Sequence, residues 1–147
     1  GLTEEQFRVY HPGGKLGQKL LKVSEVMHGF DALPIIKEDA TMDQAILVLS
    51  EKNLGSVLIL GADNALKGII TDGDLKRHMS PDLLQKKATA VMNPAPRAIE
   101  ETALAAEAMN IMTKTPGHYI TSLIVTKKDG SLAGLIRLQD CLQAGIA

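Results

Sequence analysis

The chain of 147 residues has no tryptophan, two tyrosines, two phenylalanines and a single cysteine. Proteins that stack nucleic-acid bases rely on aromatic faces, so this shortage argues against that class. The lone cysteine, Cys141, excludes an internal disulfide framework and a cysteine-rich zinc site, and it suits a small buried apolar residue. The four histidines are too dispersed to form a metal site, and none is expected. Neither sign of charge dominates. Sixteen basic and 17 acidic side chains leave a formal net charge of −1, which gives no electrostatic case for nucleic acid or a membrane surface as partner. Long apolar runs are missing as well: "AILVL", "SVLIL" and "LIV" fall far short of the roughly 20 residues of a membrane span. No charged-then-apolar leader opens the chain, so the expected location is the cytoplasm.

Apolar residues nevertheless make up 45% of the chain, enough for one ordinary core. The chain also repeats itself. "SEVMHGFDALPII" (24–36) resembles "TAVMNPAPRAI" (89–99), each with a small polar residue ahead of Val-Met. "TMDQAILVLSEKNLGSVLIL" (41–60) resembles "TALAAEAMNIMTKTPGHYITSLIV" (102–125). "ALKGIITDGDL" (65–75) resembles "SLAGLIRLQDC" (131–141), where Gly68 matches Gly134 and Asp74 matches Asp140. Both matches give a spacing of 66 residues (134−68 and 140−74), so the halves are in register there.

Each half reads as strand, helix, strand, strand, helix, which predicts an α/β (α+β) fold of two βαββα motifs packed as a pseudo-twofold pair. In the first half Thr41 and Gln44 have capping-box spacing. Met42, Ala45, Ile46 and Leu49 then follow a helical period. Gly55 closes that helix, "SVLIL" is a buried strand, "GADNAL" a hairpin turn and "KGIIT" the returning strand, with a second helix from Thr71 or Asp72. In the second half Thr102 is expected to cap the helix that carries Leu104, Ala108, Ile111 and Met112, and "KKDGSL" makes the turn. The expected boundaries are a tail at 1–22, one motif at 23–80 and the other at 81–147. A half of about 60 residues is marginal alone, so the two are expected to form one joint module.

The chemistry concentrates in "GIITDGDLKR" (68–77). A calcium loop counted from Asp72 needs glycine sixth and glutamate twelfth, but those positions hold Arg77 and Leu83. An acid–base pair of Asp72 and Asp74 has no nucleophile, histidine or oxyanion motif nearby in a recurring arrangement, and the second half has Leu138 where Asp72 stands. The remaining reading is a strand-to-helix turn. There Thr71 and Asp74 face one side, the carboxylate accepting the vicinal hydroxyls of a ribose and the backbone N–H groups favouring a phosphate. The plainer alternative makes Thr71 an N-cap and Asp74 a favourable dipole charge. Recurrence of the glycine and the aspartate in both halves favours the ligand reading.

"VM", "TMDQAILVL…GSVLIL", "GIITDGDL" and their second-half counterparts resemble a tandem pair of CBS (cystathionine-β-synthase-type) motifs over about residues 23–145. The resemblance implies that Gly-apolar-apolar-Thr/Ser-x-x-Asp contacts the ribose and phosphate of a nucleotide in an interdomain cleft. Thr71 and Asp74 match that pattern. Asp140 matches too, but Arg137 replaces the Thr/Ser, and it suits a phosphate or carboxylate instead. "HPGGKLGQKLLKVSEVM" (11–27) further resembles the junction of bacterial arabinose-5-phosphate isomerases, where a sugar-isomerase domain ends and the CBS pair begins. That likeness implies a regulatory region with no catalysis of its own, its isomerase domain lying upstream and His11 belonging to the isomerase site. It also implies homodimers through the CBS pairs and a tetramer of the full enzyme. No cofactor is required. The expected effector is a nucleotide or nucleotide-sugar: CMP-Kdo, the activated form of the pathway's downstream sugar, or AMP or ATP.

Other candidate ligand contacts are His118, Thr121 and Ser122 in "TPGHYITS", Gly55 and Ser56 in "NLGSV", and Arg97 in "NPAPRAI". Lys76 and Arg77 are expected to be exposed, and His28 to be a linker residue. A competing reading is an oligomerisation module without ligand. A free-standing enzyme is the weakest, since no nucleophile–base pair or metal set recurs.

Overall fold

A computed structural model describes residues 17, 20–114 and 120–146. In chain order the regular elements are α1 (Val23–Val26), β1 (His28–Gly29), β2 (Ile35–Lys37), α2 (Met42–Lys52), β3 (Ser56–Leu60), β4 (Leu66–Thr71) and α3 (Asp72–Arg77). They continue with α4 (Ala88–Val91), β5 (Ala98–Glu100), α5 (Ala105–Lys114), β6 (Ser122–Thr126), β7 (Leu132–Arg137) and α6 (Leu138–Gln143). The expected βαββα order therefore occurs twice, as β2-α2-β3-β4-α3 and β5-α5-β6-β7-α6. No helix among the described residues is long and apolar enough to cross a membrane.

The chain forms two compact units, Phe30–Arg97 and the combination of the chain up to Gly29 with Ala98 onward. The first holds a three-stranded sheet, β2-β3-β4, with β2 parallel to β3 and β3 antiparallel to β4. Val57, Ile59 and Ile70 enter a core with Met42, Ala45, Leu83, Ala88 and Val91. Alternation along a strand then places Ser56, Leu58, Ile69 and Thr71 on the other face. The second unit holds a four-stranded sheet, β1-β7-β6-β5, over a core of Val23, Ala105, Ala108, Met112, Leu123, Val125, Ile136 and Cys141. Cys141 is the buried apolar residue the sequence suggested.

Sequence repeats and compact units do not coincide. α1 belongs with the later half: Val23 N–H donates to Ala103 O (2.8 Å) and Ser24 N–H to Glu101 O (3.0 Å). α4 plays the same part in the other unit, where Ala88 N–H donates to Ala40 O (2.9 Å) and Met42 N–H to Lys86 O (2.8 Å). Each unit thus draws its lead-in segment from the neighbouring repeat.

The recurring Val-Met pairs and the recurring glycines explain each other. Behind Met92 the chain crosses β4, with Asn93 and Ile69 exchanging N–H···O bonds of 3.0 and 2.8 Å. A Cβ on Gly68 would stand 2.6 Å from both Asn93 O and Met92 Sδ. Behind Met27, β1 pairs with β7, His28 opposite Leu135 and Gly29 opposite Gly134. A Cβ on Gly134 would collide with His28 O and lie 2.8 Å from Met27 Sδ.

The first helix starts as expected, Thr41 N–H donating to Gln44 Oε1 at 3.2 Å. The second does not. Thr102 is not its cap, because α5 begins only at Ala105. Leu104 is held extended by a bridge to Lys22, as Thr41 is by a bridge to Lys87, and Ala105 N–H donates to Leu21 O at 2.8 Å. Leu104 is therefore the counterpart of Thr41 and precedes the helical face on which the periodicity had placed it. The hairpin turns hold as read: Asp63 and Asn64 take φ of 56° and 58°, and Gly130 takes 90°.

Gly68→Ala and Gly134→Ala should each destabilise the fold by about 1–3 kcal/mol through overpacking against backbone. Gly29→Ala meets nothing within 4 Å and should change stability by less than about 1 kcal/mol. Equilibrium urea denaturation of the three variants checks this.

Candidate functional site

In the Phe30–Arg97 unit the chain leaves β4 at Thr71, whose φ of −116° and ψ of 172° are extended, and enters α3 at Asp72. Asp74, three residues on, turns its carboxylate back on the corner. Its Oδ2 accepts from Thr71 N–H at 2.9 Å and from Thr71 Oγ1 at 3.1 Å. This is the N3 half of a capping box, and it buries the carboxylate to 6% exposure. Arg77 Nη2 donates to the remaining oxygen, Oδ1, at 2.5 Å. Arg77 is exposed as expected, yet it holds a partner that sequence reading missed. An aspartate followed three residues later by arginine on a helix is the signal that was available.

Ser56 stands directly opposite Thr71 in the β3–β4 ladder, so the two hydroxyl-bearing side chains share a face of the sheet. Ser56 is buried to 1% exposure, and its Oγ is the buried side-chain polar atom without a hydrogen-bond partner among the described residues. Gly55 ahead of it takes φ of +80°, the left-handed region glycine tolerates, and nothing lies within 4 Å of where its Cβ would be. Gly55, Ser56, Thr71 and Asp74 thus come together at one end of one sheet. Asp72 is exposed on the first turn.

The equivalent corner of the other unit is built differently. Asp140 Oδ2 accepts from Arg137 N–H (2.9 Å) and Nε–H (3.2 Å), and Oδ1 accepts from Arg137 Nη2 (2.9 Å). His28 Nε2 lies 3.0 Å from Oδ1 and 3.3 Å from Arg137 Nη2. A protonated Nε2 donates to the carboxylate, so the contact with the guanidinium is then one of two donors around a shared acceptor. Burial raises the Asp140 pKa, but bonds from the Arg137 side chain and backbone and from His28 outweigh it and hold the carboxyl below its ordinary 3.8. The neighbouring Cys141 thiol is pushed up to about 11 by burial and by the Asp140 charge. Ser122 faces Arg137 across the β6–β7 ladder, and Thr121 O accepts Leu138 N–H at 2.8 Å.

His28, expected to be a linker residue, is therefore part of this corner. The repeat gives its place, His28 following Met27 as Asn93 follows Met92, but not its partner. Arg97 is exposed immediately ahead of β5. His11 and His118 lie outside the described residues.

Two βαββα units, each with an aspartate folded back on a strand-to-helix corner, define a tandem module of the type the motifs suggested. A family model for the CBS domain matches residues 23–81 and 88–147, and the chain belongs to that family. The match leaves only residues 1–22 and 82–87 outside the two domains. The chain is 39% identical over 149 residues to the arabinose 5-phosphate isomerase KdsD of Escherichia coli strain K12, covering 99% of this chain and 44% of that protein. It thus spans about half the length of the curated relatives it matches. Among solved structures, the CBS domain of a bacterial CNNM/CorC family Mg2+ transporter in complex with ATP superposes with a TM-score of 0.74 at 18% identity, covering 97% of this chain and 96% of that one. CBSX2 in complex with AMP superposes at 0.71 and 20% identity, covering 85% and 96%. Both share the fold, an α/β CBS pair with two sheets.

Because the folded state lowers the Asp140 pKa, its stabilising contribution is present at neutral pH. It fades as pH falls below about 4 and is gone below the folded-state value. Urea denaturation at pH 7 and pH 3 should show Asp140→Asn losing stability relative to the unaltered chain at pH 7, with the gap narrowing at pH 3.

Proposed function

We propose that this chain is a ligand-sensing regulatory module that binds a nucleotide or nucleotide-sugar, with the ribose received by Thr71 and Asp74. The observation that carries the reading is the grouping of Ser56, Thr71 and Asp74. A buried carboxylate, a hydroxyl hydrogen-bonded to it at 3.1 Å and a second, buried hydroxyl without a partner stand at one corner. A ribose supplies two vicinal O–H donors for the carboxylate and oxygens for the hydroxyls. The Arg77 side chain, 67% exposed, reaches Asp74 from the solvent side, so an arriving ribose hydroxyl can replace it as the donor to Oδ1. The ATP- and AMP-bound CBS structures support a nucleotide as ligand class.

The likeness to KdsD over 99% of this chain supports a finer reading. The module regulates an arabinose-5-phosphate isomerase whose sugar-isomerase domain precedes it and includes His11, and whose subunits pair through their CBS regions. The effector that fits such a parent is CMP-Kdo, a nucleotide-sugar made downstream of the isomerase, with AMP and ATP as competitors.

Isothermal titration calorimetry with CMP-Kdo, AMP and ATP tests both levels. At least one should bind, and Thr71→Ala and Asp74→Asn should each weaken binding about tenfold or more, as expected for lost hydrogen bonds to a charged group. Absence of heat and of any thermal stabilisation with all three ligands rejects the reading.

A further inference from the structure

The two corners carry the same aspartate, but they differ in how much of its hydrogen-bonding capacity is left. An ionised carboxylate offers about four lone-pair sites. Asp140 has three donors from Arg137, its N–H, Nε–H and Nη2, and a fourth contact at His28 Nε2, which donates in the tautomer that carries the proton there. Asp74 has three, from Thr71 N–H, Thr71 Oγ1 and Arg77 Nη2. The arginines also differ in standing. Arg137 is the residue at the turn itself and is 19% exposed, whereas Arg77 reaches in from the far end of α3 and is 67% exposed. Displacing Arg137 would strand a largely buried cation, the costly way to break such a pair, whereas Arg77 swings out into solvent. The hydroxyls point the same way. Ser56 Oγ is buried without a partner, while Ser122, its counterpart beside Arg137, is only partly buried.

We infer that the Phe30–Arg97 unit alone takes the nucleotide, and that in the other unit the Arg137 guanidinium, together with His28, occupies Asp140 permanently in the place of a ribose. The inference rests on the nucleotide reading above and adds to it a stoichiometry of one per chain and the residues that impose it. Arg137 and His28 act on specificity by closing a corner; they do not touch the ligand. The asymmetry follows from two substitutions within the repeat, Thr71 against Arg137 and Asn93 against His28.

Calorimetric titration of the whole chain with AMP, ATP and CMP-Kdo should give one site per chain. Asp74→Asn should weaken that site about tenfold or more, and Asp140→Asn should leave its affinity within about twofold. The double variant His28→Asn, Arg137→Thr gives the second corner the residue types of the first, and it should add a second binding event. Two sites in the unaltered chain, or loss of the site in an Asp140→Asn protein that still melts cooperatively, overturns the inference while leaving the nucleotide reading intact. A folded double variant that stays at one site overturns the role given to Arg137. If Asp140→Asn does not fold, the stoichiometry of the unaltered chain and the Asp74→Asn titration decide. No binding by any of the three ligands removes both readings.

Discussion

In each unit the segment after a Val-Met pair lies directly on the backbone of the returning strand, and the rest of the structure hangs on that crossing. At Gly68 and Gly134 the space for a side chain is already taken by a carbonyl oxygen and a methionine sulfur. The crossing ties α1 or α4 to the sheet, so that Val23 and Val91 become core residues. It also sets the position of the residue after the methionine. In one unit that residue is Asn93, hydrogen-bonded through its backbone to Ile69. In the other it is His28, which reaches the carboxylate of Asp140.

The corners past these crossings serve both fold and chemistry. A carboxylate at the third helical position satisfies the backbone N–H at the end of the strand, which holds for both Asp74 and Asp140. That bond accounts for one oxygen of each aspartate and leaves the other to local circumstance. With threonine at the turn, the second oxygen meets only an exposed arginine. With arginine at the turn, the side chain folds onto its own aspartate and closes the corner. One scaffold therefore yields a carboxylate paired with an exposed arginine and another paired with a largely buried arginine beside a histidine.

Much of this was legible in the chain. Apolar runs with Gly- and Asn-containing turns placed the hairpins, and the 66-residue register of Gly68/Gly134 and Asp74/Asp140 marked the corners as equivalent. The helix cap at Thr102 was misplaced because local spacing was weighed against a tertiary constraint. Leu104 is held extended by a bridge to Lys22, which is 82 residues away in the chain (104−22). His28 was passed over for the same reason, since its partner Asp140 lies 112 residues on.

By itself, then, the sequence determined what depends on neighbours along the chain: the alternation of strands and helices, the turns, the repeat, and the Thr–Asp and Arg–Asp spacings that shape each corner. Tertiary structure alone decided how the segments are shared, with each lead-in helix joining the unit of the other repeat. It also decided which hydroxyl stands beside which carboxylate, and that a histidine completes one corner. The reason is physical. Capping and turn preferences act over three or four residues, whereas cross-strand pairing and the close passage over a glycine bring together residues whose separation in the chain carries no signal.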